Sequence, residues 1–399
     1  MEPVWTRVEG MIIGRDLDPM KVAQHLRESQ ILAQLEWFSS SPQLLGLNVA
    51  VADGAVATVA AGESEVTSGP SVEDLAEEIA VLYDAEVRIG THSVDHLPQG
   101  ESPLADAWPA DEIEDQEEPV SRIVEIGRTP ASSVPLLAAL EGIDLGSLEL
   151  SDDHRALLAE LPPEKAGWNF GDVPLVTLSM TDGEFQVFLV TDDHLEHIVA
   201  HNWDMDSLIV AGGNESPDAV AAETIDLVGD RPDLRQIATY VPGADVDALV
   251  DSTKTSGEDA VWKVVHALGL PSGVAGFLLG ALDIDHVEEV TVHRARGVSN
   301  AIGRSVDIML GEPESRMQPL WNSYENIAVQ RPWLIHCAAT FEAIIGSGLL
   351  VSAVRAKKPR SGLTVFAGIA GSLMIVDSLA ELSLAKYVAR RRRRNSPED

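Results

Sequence analysis

Residues 333–354 form a run of 22 whose only strongly polar members are His336 and Glu342. As a helix this run would rise about 33 Å at 1.5 Å per residue, enough to cross a hydrocarbon core of about 30 Å. Trp333 stands where an interfacial aromatic belongs, and Arg355, Lys357, Lys358 and Arg360 follow as a basic break. Residues 363–385 are apolar again, interrupted by Asp377 and Glu381, and run into Lys386 and the block Arg390, Arg391, Arg392, Arg393 and Arg394. The pattern predicts a two-pass helical hairpin in the cell membrane. A soluble pair of buried helices is the alternative. Gly346, Gly348 and Ser352 in the first segment, with Gly368, Gly371 and Ser372 in the second, allow close backbone approach within the hairpin or between copies. In an antiparallel hairpin Glu342 falls at the depth of Asp377, and His336 at that of Glu381. Acids at such depth are costly and turn toward protein or water, so these four are the intramembrane polar candidates.

The arginine block resists translocation and places the tail in the cytoplasm. Two crossings then put the N-terminal body there too. The four basic residues of the turn oppose that arrangement. A re-entrant second segment would relieve the conflict, but its irregular backbone would need protein cover. The N-terminus lacks a basic start followed by an apolar run, which agrees with a cytoplasmic body. The single cysteine, Cys337, cannot form an internal disulfide.

Charge is divided sharply along the chain. Residues 331–399 hold 11 Lys/Arg and 5 Asp/Glu, whereas residues 1–330 hold 17 and 59. A body of net charge −42 repels phosphate backbones, so no nucleic-acid partner is expected. The lipid bilayer and a protein are the partners the pattern suggests. The overall charge of −36 serves solubility first.

The body reads as α+β, in two small α/β modules followed by a helical region. Residues 1–98 form the first module. A strand at 8–13 is followed by Asp18-Pro19, which opens a helix whose apolar spacing continues through Leu35. Runs at 47–52 and 55–60 flank Asp53-Gly54, a tight-hairpin signal. Ser71 with Asp74 caps a helix to Tyr83, and 86–89 closes the unit. This β-α-β-β-α-β order suits a ferredoxin-like sandwich. Residues 99–119 read as an acidic linker. Residues 120–255 form the second module, with strands at 123–126 and 207–210, a helix from Thr129-Pro130 through Leu140 and a hairpin about Asp182-Gly183. A helix is expected over 192–202. Residues 256–330 are a mostly helical connector with one strand at 290–294, and 331–399 hold the hairpin and tail. Residues 267–282 are apolar but too short to cross a bilayer.

No Walker A loop, Gly-x-Ser-x-Gly elbow, Cys-x-x-Cys pair or Rossmann glycine fingerprint occurs, so no common NTPase, hydrolase or dehydrogenase is indicated. The functional reading is therefore a membrane-anchored interaction or scaffold protein, a subunit of a membrane assembly, with no cofactor. The alternative is a membrane-attached, metal-dependent enzyme. On a helix, His194, His197 and His201 would fall within about 60° of one another, and three imidazoles can hold Zn²⁺ or another divalent ion with one position open.

Overall fold

The computed structural model describes residues 3–41, 43–98, 120–151, 153–162, 165, 170–191 and 198–311. The expected linker (99–119), the membrane hairpin with all its polar and basic candidates (331–399), and His194 and His197 lie outside the described residues. Among the described residues, no helix is long and apolar enough to cross a membrane.

The elements in chain order are β1 (Thr6–Ile13), α1 (Pro19–Glu28), β2 (Leu32–Trp37), β3 (Leu44–Ala52), β4 (Ala55–Val59), β5 (Val66–Ser71), α2 (Val72–Tyr83), β6 (Glu86–Ile89) and β7 (His92–Asp95). There follow β8 (Ser121–Gly127), α3 (Val134–Glu141), β9 (Leu145–Ser151), β10 (His154–Leu161), β11 (Leu175–Thr181), β12 (Glu184–Val190), β13 (Ile198–Asn202) and β14 (Asp206–Ala211). The last part holds α4 (Ala222–Ile225), α5 (Arg231–Thr239), α6 (Val246–Ser252), α7 (Gly257–Ala267), α8 (Ser272–Leu278), β15 (Thr291–His293) and α9 (Val298–Gly311). Among the described residues the fold is α+β with two sheets. The chain divides into two compact units. The first comprises Met1–Gly127, Leu161–Trp168 and Val173–Glu288, and the second Arg128–Glu160, Asn169–Asp172 and Glu289–Asp399.

In the first unit the main sheet runs β14-β2-β3-β1-β6-β7, with β4 and β5 branching from β3. Its two faces have different fates. Strand alternation sends Ala33 and Leu35 of β2, with Leu45, Leu47 and Val49 of β3, toward Val22 and Leu26 of α1 and Leu75 and Ile79 of α2. The opposite face carries a smaller apolar group, Leu32, Ala50, Val59, Ala211, Val220 and Val228. Beside that group the same face is polar, and there the candidate site lies. The second sheet contributes β13-β12-β11-β8 to this unit.

Both Asp-Gly hairpins form as the sequence predicts. Asp53 and Gly54 have φ of 50° and 79°, and Asp182 and Gly183 of 52° and 82°. The Ser71 cap also forms, accepting from the Asp74 amide at 3.0 Å. The end of one expected helix, and the described end of another, are strands instead. The helix opened by Asp18 ends at Glu28, Gln30 takes a left-handed φ of 60°, and the chain returns as β2. Because both faces of β2 are covered, its apolar residues fall on both of them, Leu32 on one and Ala33 and Leu35 on the other, and mimic helical spacing. Residues 198–202 form β13 rather than the end of a helix, pairing with β12 from Gln186↔Asn202 to Val190↔Ile198. Helix α3 begins at Val134, later than the Thr129-Pro130 signal suggests. The strand expected at 207–210 is β14, and it pairs with β2 of the N-terminal sheet.

The second unit contains the hairpin of β9 and β10, with β15 paired to β9. Helices α3 and α9 pack on each other. His293 of β15 is buried, and burial, then the charges of Arg304 and Arg155, pull its pKa down to about 4.

Candidate functional site

The polar face of the main sheet is built from alternate strand positions. Gln34 and Glu36 follow Leu32 along one face of β2, and Asn48 of β3 is the register partner of Gln34. Asn48 donates to Gln34 Oε1 at 3.4 Å and to Glu36 Oε2 at 3.3 Å. Arg7 comes from β1. Its guanidinium donates to the Gly229 carbonyl at 3.2 Å, forms a close ion pair with Asp233, and lies 3.7 Å from Glu9.

Helix α5 delivers two acids to this face. Asp233 sits in its first turn, and Asp230 occupies its N-cap. Aspartate at that position normally accepts from the helix's own free amides. Here it makes no such bond. Both its oxygens accept instead from Gln34 Nε2 at 2.9 Å. The cap residue has been diverted from the helix to the sheet.

His201 of β13 completes the cluster. Its Nδ1 lies 3.8 Å from Asp230 Oδ2, and 9% of its side chain is exposed. The ring packs edge-on against Trp203, centroids 4.5 Å apart at 83°. Trp203 is itself buried and donates from Nε1 to Ser252 Oγ at 3.0 Å. One donor atom each from Glu36, His201 and Asp230 lie within 4.8 Å of one another. Glu36 and His201 also line a cleft of about 230 Å³, whose walls continue through Asn202, Ser207, Lys254 and Ser256.

The electrostatics of this cluster are unbalanced. Burial, then repulsion from Asp230, drive the Glu36 carboxyl up to about 7, against the opposing pull of Arg7 and the Asn48 hydrogen bond. Burial also raises Asp233 and outweighs the stabilising charge of Arg7. The His201 imidazole is lowered by burial, although Asp230 and Asp233 draw it the other way. A neutral imidazole keeps a lone pair for a ligand. Arg7, the cation that opposes the shift at Glu36, is committed to Asp233. The pair Glu36 and Asp230 therefore suits a dication.

The donor set fits a divalent ion. Donors bound at about 2.0–2.2 Å can stand no more than about 4.4 Å apart, and His201 Nδ1 and Asp230 Oδ2, at 3.8 Å, already lie inside that reach. One imidazole and two carboxylates match Zn²⁺, Mn²⁺ or Fe²⁺, and three protein ligands leave positions open toward the cleft. Gln34 and Asn48 hold the carboxylates in place, as outer hydrogen bonds do around such ions.

Of the three histidines expected to act together, His201 alone is among the described residues, and it sits on a strand. The partners that reach it, Glu36 and Asp230, are 194 residues apart in the chain. The available sequence signal was the polar pair Gln34 and Glu36, two apart in an otherwise apolar strand.

No family model matches this chain, and no curated protein or solved structure matches it.

Proposed function

We propose that the acidic body binds a divalent transition-metal ion through Glu36, His201 and Asp230, and that the chain is a metal-dependent enzyme of hydrolytic type attached to a membrane by residues 333–385. The observation that carries the metal reading is the convergence of two largely buried carboxylates and a neutral imidazole at the edge of a cleft. A dication would neutralise Glu36 and Asp230 together. An open coordination position would face the cleft, and a bound ion would there supply the acidity that activates water near neutral pH.

The test is metal content in full-length protein purified in detergent without chelator or a histidine tag. One ion per chain is expected, falling to near zero in Glu36→Gln, His201→Ala and Asp230→Asn with circular dichroism unchanged. Excess Mn²⁺ or Zn²⁺ should raise the melting temperature of the wild type, by mass action on the folded state. Wild-type protein that stays metal-free in excess ion would overturn the reading.

An interaction or scaffold role at the membrane is the second reading, favoured by the division of charge between body and tail. Affinity purification from solubilised membranes tests it. A stoichiometric protein partner retained after Glu36→Gln would support it over the enzyme.

A further inference from the structure

The walls of the cleft specify what would share the ion with the protein. Asn202 accepts from the Asp204 amide at 2.9 Å through its carbonyl oxygen, which leaves its N–H₂ group for a ligand. Ser207 and Ser256 add hydroxyls, and Lys254 adds an ammonium group. The ammonium lies 2.7 Å from Asp251, but both partners are about three-quarters exposed, so that pair holds it weakly. Asp206, the other acid on the wall, accepts a close hydrogen bond from Ser39. The cleft therefore offers donors, one cation and one carboxylate engaged by Ser39 beside a metal centre that Glu36 and Asp230 would render neutral.

An acceptor-rich anion satisfies such a lining, and a phosphate oxygen is a common metal ligand. Size narrows the choice. Pockets that engulf a drug-sized ligand run to about 300–1,000 Å³, and this one is about 230 Å³. It accommodates one head group rather than a whole large ligand.

We propose that the cleft receives a phosphate group, free or on a phosphomonoester, with one oxygen on the ion held by Glu36, His201 and Asp230 and others on Lys254 and the wall donors. The inference rests on the metal reading. Lys254 is a binding residue here, and the ion's ligands are untouched by its loss.

The experiment uses full-length protein in detergent, loaded with Mn²⁺, and inorganic phosphate as the probe. Paramagnetic enhancement of ³¹P relaxation reports phosphate beside bound Mn²⁺, and calorimetry gives its affinity. Phosphate should bind the Mn²⁺-loaded wild type and not the chelator-treated protein. Lys254→Met should keep one Mn²⁺ per chain and weaken phosphate about tenfold, the loss expected for one charge-assisted hydrogen bond. Phosphate that ignores the loaded wild type, or binds Lys254→Met equally well, overturns the proposal while leaving the metal site standing. Failure to bind Mn²⁺ overturns both. Competition by glycerol phosphate against dihexanoyl phosphatidic acid then separates a soluble source from a lipid one. Preference for either supports the shared chemistry, and displacement by neither counts against it.

Discussion

At the scale of single residues, the structure sets two buried histidines in opposite company. His201 sits among acids, and burial alone keeps it neutral against their pull. His293 sits near arginines, and burial and those charges act together to bring its pKa from 6.5 to about 4. The second case has a readable consequence for stability. Above pH 6.5 the ring is neutral in both folded and unfolded chains and has no effect. As pH falls through 6.5 the unfolded chain gains a proton that the folded chain refuses until about pH 4, so stability is lost across that window. Urea midpoints measured from pH 7.5 to 4 should fall less steeply for His293→Gln than for the wild type. Equal slopes would show that the ring titrates normally in the folded state.

At the scale of elements, legibility tracked whether a signal was local. The two Asp-Gly turns and the Ser71 cap were read correctly because each is specified by two or three adjacent residues with a backbone requirement of their own. β2 was misread because Leu32 and Leu35 belong to different faces of one strand, and both faces are covered. Apolar spacing cannot separate that arrangement from a helix without knowing what lies on each side. The candidate site suffered more. Its ligands come from β2, β13 and the start of α5, and neither their spacing in the chain nor their residue types announces that they meet. β13 was missed with them, since the spacing of the three histidines is helical and the signal that overrides it, the pairing of residues 198–202 with β12, is not local.

The end of β14 offers a sharp test of element packing. Gly212 has a φ of 60°, and a Cβ there would stand 2.3 Å from the Val59 carbonyl oxygen of β4. Gly212→Ala therefore combines a left-handed backbone cost with a backbone clash. A loss of about 2–4 kcal/mol is expected from chemical denaturation. Gly183→Ala at the other hairpin, where nothing lies within 4 Å, should cost about 1 kcal/mol. Similar losses at the two positions would mean that β14 does not hold against β4 as described.

At the scale of the whole molecule, the body of net charge −42 and the apolar, basic stretch after it differ sharply in composition. Removing residues 331–399 is expected to release the body into the soluble fraction, because no basic surplus remains to hold anionic lipid. Recovery of the truncated chain in salt-washed membranes would show that the body carries its own attachment. The proposed metal ligands all precede the cut, so the released body should bind the same ion if the metal reading holds.

The pairing of β14 with β2 also sets a timetable for the ribosome. About 170 residues separate the two strands, so the edge of β2 emerges long before the strand that covers it. At roughly 5–20 residues per second the wait is on the order of ten to thirty seconds. During that interval the nascent chain displays an unpaired, apolar strand edge, the feature most prone to wrong pairing. Asp230 arrives later still, so the third ligand of the proposed ion would be delivered after β14 has emerged. Assembly of the proposed centre would thus follow the sealing of the sheet's most vulnerable edge and depend on it.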